Sequence, residues 1–383
     1  MAGPSSGQRQ PAHRGKVVSW LRKVFELNDN GLNWPRGVMI LDALLVPLVV
    51  FWAIGYEQYL LSAVFAVLLT AVTDPGGSYW YRTSHNFVFA LFGAGVTALG
   101  FGIGTDAWGW LVLASFLFTL VAGLTVVFGV HRFVAAYLLN VWFIVAIAVA
   151  FAFHQHALIT SYTWAQVVAY AGGSVLWIVL TCIAWLVRGR HDRPQPIAEI
   201  PGDISRRKLS RPVLMFMVLR ALVLAGTVAL TFGANLSYGY WMSIAAIVAM
   251  KPALDQSTLF GAQRLAGALI GAGAAILLLL IPANEHGLRL LIVDHGLTVV
   301  ALVLMMHAAA TRMWNYALYC GVVAAAVLLL VDLPQPTNYS AEGYRVLWTL
   351  CGVGLSVIVM LLAELLGRRR AAKAPPRPAK QPA

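Results

Sequence analysis

The chain stays polar to Arg36 and then turns apolar with few interruptions. Apolar runs lie near 37–54, 58–73, 87–104, 108–127, 132–153 and 164–187. After a polar stretch a second set follows near 213–233, 239–250, 263–282, 288–307, 313–331 and 345–366. A helix needs roughly 18 or more apolar residues to cross about 30 Å of hydrocarbon. The pattern predicts an all-α, polytopic membrane protein of about twelve transmembrane helices. One run is too short: Tyr240 to Met250 ends on Lys251-Pro252, a basic, proline-broken elbow. Ahead of the first run, KVVSWLRKVFEL (16–27) sets Val17, Trp20, Leu21 and Val24 on one helical face, with Lys16, Arg22, Lys23 and Glu26 largely off it. That predicts an amphipathic helix lying in the membrane interface.

The two sets of runs resemble each other at an offset of about 180 residues, the kind of self-similarity that marks an internal repeat. Asp74-Pro75-Gly76 falls opposite Lys251-Pro252-Ala253, Gly93 opposite Gly271, Arg132 opposite Arg312 and Gly172 opposite Gly352. Six spans per half give both halves the same orientation, hence two parallel six-helix repeats related about the membrane normal. The expected organisation is an N-terminal segment (1–36), a first repeat (37–187), a basic linker (188–212), a second repeat (213–367) and a basic, disordered tail (368–383).

Composition agrees with the pattern: 60% of the 383 residues are hydrophobic and 11% are charged, which excludes a soluble globular domain. The net charge of +12 is not a nucleic-acid footprint, because the basic residues sort by topology. On the expected layout 24 Lys and Arg fall on the side of the termini and two, Arg289 and Arg345, on the other. The positive-inside rule then makes both termini and the linker cytoplasmic, in the cell membrane. No secretory signal is expected, since the first 36 residues lack an apolar core. Cys182, Cys320 and Cys351 sit inside apolar runs, without the spacing of a zinc site or a disulfide framework.

Nothing in the sequence matches a metalloprotease, nucleophile-elbow or nucleotide-binding loop motif, so neither an enzyme nor a cofactor or metal site is expected. Charges inside spans carry more information, because they are costly in lipid. Asp42 and Arg220 occupy equivalent places in the two repeats; they meet as an ion pair or in substrate contact, or else Arg220 snorkels to the interface. Asp294 and His295 form a second intramembrane pair suited to charge compensation or proton coupling. Asn140 and Asn315 are read as bridges between helices. Lys251 and Arg264 bracket the elbow, where fixed positive charge would concentrate anions; the competing reading is an ordinary positive-inside marker. The glycines, Gly267 and Gly271 among them, point to close helix packing.

The elbow also carries a resemblance. Tyr240-Trp241, Lys251-Pro252 and Arg264 with Gly267 and Gly271 resemble the signature segment of the FUSC (fusaric acid resistance) family of membrane transporters, with Ala268 where that family commonly has threonine. The resemblance implies efflux of small, often aromatic, organic anions. The reading as a whole is a proton-driven exporter of small organic acids. Arg220, Lys251 and Arg264 hold the carboxylate, and Asp42, Asp294 and His295 serve charge compensation or proton coupling. The expected partners are the lipid bilayer and the anion, with a homo-oligomer left open. An anion channel on the same scaffold, a membrane enzyme acting on lipid-linked substrates and a non-transporting scaffold are the alternatives.

Overall fold

A computed structural model describes residues 22–28, 31–75, 78–104, 106–153, 161–187, 208–251, 254–281, 288–332 and 340–373. From Trp34 onward these contain α1 (Trp34–Ile54), α2 (Leu60–Thr73), α3 (Tyr79–Ile103), α4 (Trp108–Leu124), α5 (Val130–Phe153) and α6 (Ser161–Val187). They continue with α7 (Arg211–Gly233), α8 (Tyr240–Ala249), α9 (Leu254–Leu279), α10 (Leu288–Thr311), α11 (Tyr316–Asp332) and α12 (Ser340–Lys373). Each falls on one of the apolar runs. Three extend well past the run that announced them. α3 starts at Tyr79, where Ser78 caps the first turn by accepting from the Tyr81 amide at 3.4 Å. α9 starts at Leu254 with Asp255 in its first turn, where a carboxylate favours the helix dipole. α12 runs on to Lys373, beyond the expected boundary at 367. A backbone helix does not end where its side chains become polar.

Within the described residues, eight of these helices are long and apolar enough to cross a membrane, against the twelve expected. α2 and α8 are shorter, and their surroundings explain why. Trp241 through Ala249 of α8 are all buried, as are most residues of α2. A helix buried on every side meets protein rather than lipid, so it need not match the bilayer in length. The longer helices turn apolar side chains outward instead: Val49, Leu91, Phe92, Val121, Val168, Leu230, Leu277 and Leu362 are all more than half exposed. With this apolar exterior the protein is a multi-pass membrane protein.

Small residues set the packing, as they do where lipid gives helices no hydrophobic reason to associate. α2 lies against α6 and α8 against α12. A Cβ on Gly173 would strike the Ala63 carbonyl and the Ala66 methyl, and one on Gly352 the Met242 carbonyl and the Ala245 methyl. The sequence alignment set Gly172 opposite Gly352; the close contact is made by Gly173, while Gly172 faces open space. α3 packs on α5 and α6 much as α9 packs on α11 and α12. Gly100 and Gly104 meet Ala146 and Ala150, and Gly267 and Gly271 meet Cys320 and Ala324. α4 against α7 and α10 against α1 join the first six helices to the last six.

Of the expected interfacial helix, residues 16–21 lie outside the described residues, as do most of the linker (188–207) and the end of the tail (374–383). The described remainder folds back on the turn between α10 and α11. The Asn28 amide donates to the Trp314 carbonyl at 2.8 Å, and Asn315 Nδ2 to the Glu26 carbonyl at 3.0 Å. Asn315 also accepts from the Leu318 amide at 2.8 Å, capping α11. Asn140 bridges to Thr119, joining α5 to α4.

Candidate functional site

Irregular backbone precedes both buried short helices. Before α2 the chain makes a single 3-10 turn, Glu57–Tyr59. Before α8 it passes through Asn235 and Tyr238 with φ of +50° and +55°, conformations that L-residues adopt only when their surroundings enforce them. α12 does so here: Trp348 Nε1 donates to the Ser237 carbonyl at 2.8 Å, and Tyr344 stacks on Tyr238 at 6.0 Å. Both irregular stretches face the same space. A cavity of about 1000 Å³ is lined by Glu57, Gln58 and the 235–239 stretch, and by side chains of α2, α5, α8, α9, α11 and α12. Non-helical backbone at membrane depth is tolerated where it lines such a cavity.

The lining is aromatic and basic. Tyr137, Tyr162, Tyr240, Trp241, Tyr316 and Tyr319 contribute rings, and Arg264, Arg312 and Arg345 contribute guanidiniums. Arg264 enters from α9, three turns into the helix, because α9 begins well before its apolar run. Arg312 follows the end of α10 and lies 6.0 Å from the centre of the Tyr319 ring. Arg345 lies at 3.7 Å over Trp241, buried rather than on the outer surface where the charge count put it. Flat cations and aromatic rings together suit a planar anion, since guanidinium pairs with carboxylate and rings stack on rings.

The site residues expected from sequence separate into three groups. Arg264 lines the cavity. Lys251 stands just behind, its ammonium 4.5 Å from the Phe260 ring and 5.9 Å from Tyr137. Burial, and then the Arg220 and Arg312 guanidiniums, push the Lys251 ammonium down to about 8. Arg220 belongs to neither position. It is buried, lies 4.8 Å over Tyr137 and 5.7 Å over Phe133, and donates from Nη2 to the Ile247 carbonyl at 3.0 Å. It thus satisfies a carbonyl left open where α8 ends inside the protein. Arg36 of α1 likewise donates to the Ala71 carbonyl at the end of α2, which also accepts from the Asp74 amide. The pairing of Asp42 with Arg220 is therefore corrected. Asp42 is exposed on α1, and the counterpart of Arg220 is Arg36. Among the described residues, His295 Nε2 lies 3.8 Å from Glu57 Oε1 and its ring packs on Trp52 at 4.5 Å. The Asp294 side chain lies outside the described residues.

Several contributors escaped the sequence reading: Arg312 and Arg345 were counted only as topological charges, and Tyr137 and Tyr319 were not singled out. No local signal could have joined them, because they come from α5, the α10–α11 turn, α11 and α12.

The segment from Val223 to Val359 spans most of α7 through most of α12 and matches the fusaric acid resistance protein-like family. This match makes the second half of the chain similar to the FUSC family. The FUSC match contains Lys251, Arg264, Arg312 and Arg345 and points to a transporter-like membrane role in resistance or efflux. No curated protein and no solved structure matches the chain.

Proposed function

We propose that this protein exports small organic acids, aromatic carboxylic acids in particular, across the cell membrane, with both termini cytoplasmic and the proton gradient as driving force. Two parallel six-helix units carry out the transport, one ending before the 188–212 linker and one beginning after it, and the substrate sits between them. The observation that carries the reading is the cavity: Arg264 and Arg312 enter it beside Tyr137, Tyr316 and Tyr319, while Glu57 is the carboxylate among its lining residues. The recurring packing of α2 on α6 and α8 on α12 supports the repeat, and irregular backbone at matching places favours a transporter site there.

Benzoate flux into and out of proteoliposomes tests this directly. Arg264→Gln or Arg312→Gln should raise the apparent KM for benzoate about tenfold, the loss of roughly one charge-assisted hydrogen bond, and leave uncharged benzamide unaffected. Benzoate flux that none of these substitutions alters would remove the cavity from the pathway. Conductance independent of any gradient coupling would make the protein a channel, and the absence of flux for every acid tried would leave a scaffold role.

A further inference from the structure

The turn between α2 and α3 carries a polar cluster that the anion site does not use. Asp74 is almost fully buried, and Arg82 grips it with both arms, Nε to Oδ1 at 2.9 Å and Nη2 to Oδ2 at 2.5 Å. Trp177 of α6 donates to Asp74 Oδ2 at 3.4 Å. One turn beyond Arg82, His85 meets His131 of α5 edge to face, with ring centres 4.7 Å apart. Both imidazoles have Nε2 buried without a hydrogen-bond partner among the described residues, and the His131 ring donates to the Thr73 carbonyl. Asp74 and Arg132 act on both rings electrostatically, and Tyr81 lies 6.2 Å from His85. Arg36 reaches the end of α2 from α1.

We propose that the His85–His131 pair binds the proton that drives transport, a reading that rests on the proton-coupled export proposed above. Imidazole is the side chain that ordinarily changes charge near neutral pH. Two imidazoles in contact repel each other strongly when both are charged, so the pair holds one proton at a time and resists a second. The proton adds to a ring nitrogen lone pair, and no bond in the protein breaks. The summed charge of Asp74, Arg82, His85 and His131 then rises from zero to one. Asp74, until then neutralised by Arg82, becomes the counter-ion for two cations.

His131 lies in the first turn of α5, and α5 supplies Tyr137, Val141, Val145 and Ala148 to the cavity. Gly129, with φ of +107°, separates that turn from the 3-10 helix Thr125–Phe128. Only glycine takes this conformation freely, so a glycine is required where α5 starts. Charging its first turn acts on the helix that also carries the Tyr137 ring beneath Arg220 and Lys251.

The test has two arms on the full-length protein. In detergent, nuclear magnetic resonance of labelled histidines follows the titration without any substrate. Two of the nine histidines should titrate as one coupled pair in two separated steps, and His85→Gln should leave His131 with a single step. Two independent, single-step curves in the wild type would overturn the proposal, and this reading needs no variant to fold. In proteoliposomes, His85→Gln and His131→Gln should lose accumulation of benzoate against its gradient under an imposed pH difference, the accumulation ratio falling to about one, and only downhill flux insensitive to pH should remain. Arg264→Gln should keep the pH dependence at a raised KM. Undiminished pH-driven accumulation in the histidine variants would sink the idea. A wild type that moves no aromatic acid would refute the proposed function instead, and the titration would still decide whether the pair binds the proton.

Discussion

The two elbows, 74–82 after α2 and 251–264 after α8, follow the same kind of buried short helix and carry opposite chemistry. In the first, the Asp74 carboxylate neutralises the charge of Arg82, and nearby stand two imidazoles in contact, His85 of α3 and His131 of α5. In the second, Lys251 and Arg264 are joined by Arg220 and Arg312, and aromatic rings meet the cations: Tyr137, Phe260 and Tyr319. Cation and ring contacts hold charge in place without neutralising it. One elbow therefore pairs its arginine with a carboxylate, and the other sets its cations against rings. The shared part of the design lies elsewhere, in the arginine that closes each short helix, Arg36 on Ala71 and Arg220 on Ile247.

The contrast breaks most readily at the first elbow. Arg82→Ala removes the two-armed cationic partner of buried Asp74, and losing one partner of such a pair costs about 3–5 kcal/mol. The variant should show a large drop in thermal stability in detergent, and Asp74→Asn combined with Arg82→Gln should recover part of it. Stability within about 1 kcal/mol of wild type for Arg82→Ala would mean that the pair is exposed and interchangeable with the cations of the other elbow.

A smaller effect tests whether the elbows correspond at all. Their equivalence follows from Gly173 and Gly352 playing one role against α2 and α8. Gly173→Ala must push the Ala63 backbone aside and should cost about 1–3 kcal/mol, as overpacking does. Gly172→Ala, which meets nothing within 4 Å, should be neutral or slightly stabilising. Equal unfolding midpoints for the two variants would undo the correspondence.

The smallest expected effect concerns Lys251. Its ammonium gives up its proton near pH 8, so charge near the cavity falls as pH rises through that value. Anion affinity should decline by about threefold between pH 7 and pH 9, the size of one partly screened charge at this range. Lys251→Arg should abolish the decline, since guanidinium stays protonated. A pH profile identical in wild type and variant would show that the second elbow keeps its charge without Lys251.

The all-α membrane class and the places of the helices were legible in the chain itself. The bilayer imposes a length on apolar runs, and run length is a local property, so every helix from α1 to α12 was announced, and the shortness of 239–250 with them. Arg264 was legible for a similar reason, as a charge standing where an apolar helix begins. What the sequence could not fix was direction around each helix. An offset of about 180 residues aligns positions along the axis, yet neighbours on a helix diverge by about 100°. Asp42 and Arg220 therefore looked equivalent, although one faces outward and the other closes α8; Gly172 stood in for Gly173 in the same way. Only tertiary structure brought Tyr137, Arg264, Arg312 and Tyr319 to one cavity and His85 to His131. These contacts join residues far apart in the chain, and their geometry is set by how small residues let the helices approach, which no single stretch of sequence records.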